Sequence, residues 1–357
     1  MKRILYIGLF SLTVSLIGQD KKNGATEKLE VFLAESQAAG ISAGYAINGN
    51  VVWQSAKGYA DIKAKAPIGK ETKIRMASIS KSMTALAVMQ LWEQGKLDLD
   101  APIQTYIPDY PTHPSTQITT RHLLSHTSGI SGYKNTKEQN TIKEYKSLTD
   151  ALDLFKTREL LFEPGTKYSY TTYGYTVLGV IVERVSGMDF EKYMQQHIWD
   201  RAAMTETGVV KFGAAPENTS KIYHRKGGKG KARDGIDNNL SNRIPGGGFY
   251  TTVTDMLKFG NAVINNVFVK KETLDYMREH HSLEKERNAY GFGWYLYGAK
   301  PNEGELIGHS GAQMGASSQL WIIPERKIVV IVLVNTSRVE VGEFAYDLLK
   351  MALTEIK

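Results

Sequence analysis

Apolar and polar positions follow two different periods along this chain, and the order of those periods predicts its architecture. Within 26–39, Leu29, Phe32 and Leu33 recur at helical spacing. Two short apolar runs come next, 43–47 and 51–55, separated by Asn48-Gly49-Asn50. An Asn-Gly pair between such runs predicts a β-hairpin, because both residues tolerate the left-handed backbone of a tight turn. From Ser78 the pattern becomes a run through Met83, Leu86, Val88, Met89, Leu91 and Trp92, which predicts a helix opening at Ser78 and closing near Gly95.

The middle of the chain, about 97–240, reads as helical and loop-rich. Thr119 or Thr120 is expected to cap a short helix running to His126, and 148–155 is periodic. The apolar stretch 176–185 stops at Gly187, and Asp189 is expected to cap a helix carrying Phe190, Tyr193, Met194 and Ile198. Strand patterns then return. Residues 290–297 alternate, and 320–323 and 328–333 flank the turn Pro324-Glu325-Arg326-Lys327. A closing amphipathic helix over 341–353 carries Phe344, Ala345, Leu348 and Leu349.

Strands at both ends with helices between them predict an α+β fold: an antiparallel sheet built from both termini, flanked by helices, with an inserted mainly helical lobe. The expected sheet lobe is about 25–85 and 241–357, and the helical lobe about 86–240, within one domain over 20–357. A site is expected in the groove between the lobes, and Ser78 falls where the chain passes from one to the other.

Residues 1–19 change the picture of where the protein works. Lys2 and Arg3 precede an apolar stretch over 4–17, the pattern of a secretory signal, and the stretch is short for a membrane span. An uncleaved anchor is the alternative. The expected location is secreted or periplasmic. The chain has no cysteine, which excludes thiol catalysis, thiolate metal sites and a lipidated signal cysteine. The formal charge is +7, and much of the excess sits in His224-Arg225-Lys226-Gly227-Gly228-Lys229-Gly230-Lys231-Ala232-Arg233. A Gly/Lys run without interleaved aromatics reads as a solvated loop and not as a nucleic-acid surface. A contact with the cell wall or a membrane surface stays open.

Three stretches carry candidate chemistry. Ser78 and Lys81 lie one helical turn apart, so a hydroxyl and an amine share one helix face. Ser-x-x-Lys also occurs at Ser131/Lys134 and Ser282/Lys285, but those pairs lie in polar stretches. The plain alternative for Ser78 is a helix cap. The second stretch is Pro164-Gly165-Thr166-Lys167-Tyr168-Ser169-Tyr170-Thr171-Thr172-Tyr173-Gly174-Tyr175. A phenol beside a lysine ammonium is expected to lose its proton more readily and to serve as a base, whereas packing is the commoner use of such tyrosines. The third is Gly308-His309-Ser310-Gly311-Ala312-Gln313-Met314-Gly315, whose small residues let a ligand approach the backbone. A backbone N–H from this strand, paired with that of Ser78, can bind an oxyanion, and a substrate can add along it as a further strand. His122 and His126 have the i, i+4 spacing of metal ligands, but no H-E-x-x-H accompanies them, and no metal or other cofactor is expected.

Taken together, Ser78-x-x-Lys81, Tyr170-Thr171-Thr172 and His309-Ser310-Gly311 resemble, in order and approximate spacing, the motifs of the penicillin-recognising serine hydrolases. These include class C-type β-lactamases, serine D-Ala-D-Ala carboxypeptidases, D-aminopeptidases and esterases. Leu123-Leu124-Ser125-His126-Thr127-Ser128-Gly129 and Gly246-Gly247-Gly248 before Thr254-Asp255-Met256 match as well. The resemblance implies an acyl-enzyme on Ser78, with Lys81 taking the proton and Tyr170 shuttling it. It implies an oxyanion hole from the N–H groups of Ser78 and Ala312, and substrate contacts from Thr172, His309, Ser310 and Gly311. The implied partner is a small-molecule or peptide substrate: a D-amino-acid peptide, a β-lactam or an ester. Two departures stand out. Thr172 occupies the place of the usual Asn, and His309 that of the Lys of most β-lactamases; both shift the expectation from an efficient β-lactamase toward a peptidase or esterase. A reading of another class is a non-catalytic cell-wall peptide binder or sensor.

Overall fold

A computed structural model describes residues 24–112, 117–283, 289–300 and 303–356. The expected signal segment, 1–19, and Lys285 lie outside the described residues. Helix α1 spans 24–36. Strands β1 (Gly40–Ile47) and β2 (Asn50–Asp61) form the expected hairpin, with Asn48 and Gly49 both at positive φ. The short strand β3 (Ala66–Pro67) pairs outside β2. From the C-terminal part come β4 (Tyr295–Lys300), β5 (Gly304–Gln313), β6 (Ala316–Ile323) and β7 (Ile328–Val334).

Their order in the sheet is β3-β2-β1-β7-β6-β5-β4, all antiparallel. The two termini therefore meet at the β1–β7 pair, in register from Ile41↔Val334 to Ile47↔Ile328. Every residue of β1 and β7 is buried. A strand covered on both faces reads as a continuous apolar run, as 328–334 does. One face presents Val330, Val332 and Val334 to α1 and to the closing helix, Gly342–Glu355, with Phe344, Leu348 and Leu349. The other presents Val329, Ile331 and Leu333 to a helical layer that includes α2 (Ser80–Glu93) and Val253–Ile264.

Helix α2 is the structural centre of the site. Ser80 through Leu91 are all buried, so it has no polar face. Two of its hydroxyls are satisfied by distant backbone: Ser82 donates to the Gly293 carbonyl and Thr84 to that of Pro245, each at 2.7 Å. The expected start at Ser78 is corrected, because a 3₁₀ turn, Ala77–Ile79, precedes the α-helix. Helix α3 (Thr120–Leu124) is capped by Thr119 through a box closed by His122, and ends before His126.

Helix α4 (Thr172–Ser186) begins earlier than the apolar pattern, capped by the Thr171 hydroxyl and closed by left-handed Gly187. Asp189 occupies the cap position of Phe190–Met194 but makes no side-chain cap; the Phe190 N–H donates to Glu183 instead. The expected strand over 290–297 begins only at Tyr295. Gly293 turns the chain at φ +80°, and a Cβ there would stand 2.4 Å from Ala85 Cβ. Packing against α2 thus overrides the local alternation.

Candidate active site

The turn that carries Ser78 is pinned from several sides. The Met76 N–H donates to the Phe249 carbonyl at 3.0 Å, and the Met76 carbonyl accepts from Ser318 Oγ at 2.9 Å. Ser80 Oγ donates to the Ala77 carbonyl at 2.7 Å. Ala77 has φ +52°, a conformation that costs a residue with a Cβ about 1–3 kcal/mol and persists only where its surroundings fix it. The result leaves Ser78 partly accessible among buried neighbours.

Lys81 is fully buried. Its Nζ lies 2.6 Å from the Gly246 carbonyl oxygen, 3.2 Å from Ser78 Oγ and 3.4 Å from Thr172 Oγ1. No carboxylate pairs with it among the described residues. Loss of hydration therefore pushes its pKa well below the ordinary lysine value, helped by the charge of nearby Arg243. The faces of Tyr170 and Tyr175, with centroids 4.8 and 5.5 Å away, favour the cation, but a cation–π contact is worth only about 0.5–2 kcal/mol. Complete burial outweighs it. A neutral amine has two N–H groups for Gly246 and Thr172 and a lone pair for the Ser78 proton.

The Tyr170 segment is clamped onto His126. Ser169 N–H donates to the His126 carbonyl at 2.9 Å, Thr171 N–H to His126 Nδ1 at 3.2 Å, and the two rings lie 4.2 Å apart. The expectation that Tyr170 ionises readily is corrected: burial, with Tyr295 adding to it, pushes its pKa well above the phenol value, against the smaller opposite effect of the Ser78 hydroxyl. Tyr170 is held as a neutral phenol and not as a standing phenolate. His122 Nδ1 accepts from the Thr119 N–H, so each histidine of the i, i+4 pair spends a ring nitrogen on backbone. Among the described residues no group of three or more His, Asp or Glu has the arrangement to hold a metal ion.

Strand β5 closes the site. His309 Nδ1 lies 2.6 Å from the Ser310 carbonyl oxygen and so carries the proton. Nε2 is then the acceptor, 3.0 Å from the Tyr290 hydroxyl and 3.5 Å from that of Tyr170. Burial, reinforced by Lys81, lowers the His309 pKa to about 3, so the ring is neutral at ordinary pH. Gly311 faces the same way. A Cβ there would stand 2.2 Å from Ser318 Oγ and 2.4 Å from the Met76 carbonyl oxygen, so only glycine lets this strand touch the Ser78 turn. Ser310 and Ala312 alternate to the other face and are exposed. His309 and Ser310 thus do not look into the same space. Pairing with β4 stops at Gly308↔Tyr295, which leaves 309–313 as a free strand edge beside Ser78 among the described residues.

The fold therefore gathers Ser78, Lys81, Tyr170, Thr172, His309 and Gly311 around one point. The pattern of the sequence did not single out Tyr290, Arg243 or the Gly246 carbonyl. Only the last had a signal, the Gly246-Gly247-Gly248 stretch.

The beta-lactamase family profile matches residues 25–352. The human serine beta-lactamase-like protein LACTB, mitochondrial, is 30% identical, covering 89% of this chain and 77% of that protein. Penicillin-binding protein 4* of Bacillus subtilis is 28% identical, covering 85% of this chain and 69% of its own length. Among solved structures, the octameric penicillin-binding protein homologue from Pyrococcus abyssi superposes with a TM-score of 0.80 at 28% identity, over 93% of this chain and 78% of that one. The chain belongs to the beta-lactamase family and is a serine hydrolase of the kind that includes the penicillin-binding proteins.

Proposed function

We propose that this protein is an exported hydrolase that cleaves a D-amino-acid peptide or an ester through an acyl-enzyme on Ser78. One observation carries the reading: a fully buried lysine amine, without a carboxylate partner among the described residues, stands 3.2 Å from the hydroxyl of a partly accessible serine. Ser78 Oγ attacks the substrate carbonyl carbon while its proton passes to Lys81 Nζ. The N–H groups of Ser78 and Ala312 receive the oxyanion. Collapse of the tetrahedral adduct breaks the bond to the leaving group, which takes a proton through Tyr170. Water then attacks the acyl carbon, its proton returning by the same groups, and the acid leaves.

Thr172, His309, Ser310 and Gly311 form the substrate-facing rim, Ser310 from the exposed side of the strand. Residues 1–19 serve as the export signal. Thr172 and the neutral His309 favour a peptidase or esterase over an efficient β-lactamase, since neither supplies the amide or the cation that a β-lactam carboxylate and side chain would meet. The name penicillin-binding protein carried by a relative supports a β-lactam as an acylating probe.

The test is intact-protein mass after mixing with a labelled penicillin, a fluorophosphonate and p-nitrophenyl acetate. A lasting penicillin adduct on Ser78 supports the peptidase reading, and ester turnover without one supports the esterase. Rapid penicillin turnover favours a β-lactamase. No adduct with any reagent leaves the non-catalytic binder.

A further inference from the structure

His309 offers one acceptor to two phenols. With its proton on Nδ1, against the Ser310 carbonyl at 2.6 Å, Nε2 keeps a single in-plane lone pair. The Tyr290 hydroxyl stands 3.0 Å from that nitrogen and the Tyr170 hydroxyl 3.5 Å. One lone pair accepts one good hydrogen bond, and the shorter contact takes it.

Tyr290 is held in place to be that donor. It is fully buried. Its carbonyl accepts from the N–H groups of His281 and Ser282 at 3.1 and 3.0 Å, and its own N–H donates to Ser282 Oγ at 3.0 Å. The Tyr295 ring packs edge-on against it at 4.8 Å. Tyr175 is a second hydroxyl within its reach. That hydroxyl spends its own proton on the Leu124 carbonyl at 3.0 Å, and a phenol oxygen is a poorer acceptor than a neutral imidazole nitrogen. The Tyr290 proton therefore goes to His309.

We propose that Tyr290 is a positioning residue: by filling the lone pair of His309 Nε2 it keeps the Tyr170 proton off the histidine and free for the leaving group. The inference rests on the acyl-enzyme reading and adds a residue to it. As the tetrahedral adduct collapses, the bond from carbon to the leaving oxygen breaks and that oxygen takes the Tyr170 proton. The proton that Lys81 received from Ser78 then restores the phenol. Without the Tyr290 hydroxyl, Tyr170 donates to His309 and must break that bond before it can protonate the leaving group.

The experiment compares wild type with Tyr290→Phe, which keeps the ring, on p-nitrophenyl butyrate and ethyl butyrate. The acyl group is shared, but p-nitrophenoxide leaves as the anion whereas ethoxide needs a proton. The expected result is a kcat/KM that falls about tenfold further on the ethyl ester, a fraction of what a positioned general acid supplies. A packing role alone would lower both esters alike. Equal losses, or none, overturn the role of Tyr290 and leave the acyl-enzyme intact, as does a wild type that turns over only the nitrophenyl ester. The imidazole nitrogen NMR spectrum of histidine-labelled wild type, assigned by the signal lost in His309→Gln, is the second measurement. It should show His309 protonated at Nδ1, and a proton on Nε2 overturns the inference whether or not the variant folds. Wild type with no Ser78-dependent turnover of either ester overturns the acyl-enzyme reading, and this inference with it.

Discussion

Lys81 Nζ is closer to the carbonyl oxygen of Gly246, at 2.6 Å, than to the hydroxyl of Ser78, at 3.2 Å. The amine is held by a neutral acceptor and not by a carboxylate. Gly246 itself has no room for a side chain, since a Cβ would stand 2.7 Å from Thr172 Cγ2. Charge at this nitrogen is disfavoured by its burial, and Ser78 Oγ lies within hydrogen-bond reach of it.

Activity should follow the neutral amine. Lys81 titrates well below its ordinary value, so kcat/KM should rise with pH through that lowered pKa and reach its plateau well before pH 10.5. The linkage has the matching sign. Between the folded and unfolded pKa values the unfolded chain binds the extra proton, so stability rises with pH across that window. Lys81→Met should abolish turnover, and the difference in stability between Lys81→Met and wild type should shift in favour of wild type as pH approaches 10.5. Denaturant melts at several pH values measure this; a pH-independent difference would contradict it.

Acid should unfold the site through His309. Its folded pKa of about 3 against an ordinary 6.5 means that its neutral form contributes stability present above pH 6.5 and lost as pH falls toward 3. The loss is on the order of 5 kcal/mol at most, at 1.36 kcal/mol per pKa unit. Buried His126 acts in the same direction. His309→Gln should flatten the fall of thermal midpoint over that range, and an unchanged slope would refute the assignment.

Ser78→Ala should end all turnover and adduct formation. It should leave the thermal midpoint nearly unchanged, because Ser78 is partly accessible and its hydroxyl contacts only the side chains of Lys81 and Tyr170 among those described. Full residual rate in this variant would remove Ser78 from the mechanism.

Gly311→Ala should lose both stability and activity. The new Cβ overlaps Ser318 Oγ and the Met76 carbonyl, a case of overpacking that costs about 1–3 kcal/mol and displaces the Ser78 turn. Ser310→Ala, one residue away but exposed, should stay within about 0.5 kcal/mol of wild type. Calorimetry on the pair separates close packing from general sensitivity of the strand.

Thr172→Asn should raise the rate of acylation by benzylpenicillin severalfold, since a carboxamide adds a donor and an acceptor beside Lys81. Timed mass spectra give that rate directly. No change would mean that Thr172 is not what limits β-lactam recognition.

Much of the fold is legible in local pattern. The Asn48-Gly49 turn, the β6–β7 hairpin and the closing helix follow from turn chemistry and periodicity over a few residues. The misreadings have different causes. Residues 290–294 alternate like a strand but bend at Gly293 because α2, distant in sequence, lies against them. Helix α4 starts at Thr172 because the adjacent Thr171 hydroxyl caps it, a local signal that the apolar period does not register.

The sequence by itself determined that Ser78 and Lys81 would share a face, because i and i+3 spacing is a property of any helical turn. It also determined that the β5 stretch would be bare enough for another backbone to approach. Only the tertiary structure decided the protonation states: Lys81 toward neutral, Tyr170 held as phenol, His309 fixed as an acceptor by Ser310 and Tyr290. The physical reason is that a pKa depends on how much water and which charges surround a group, and burial is set by every segment that packs around it.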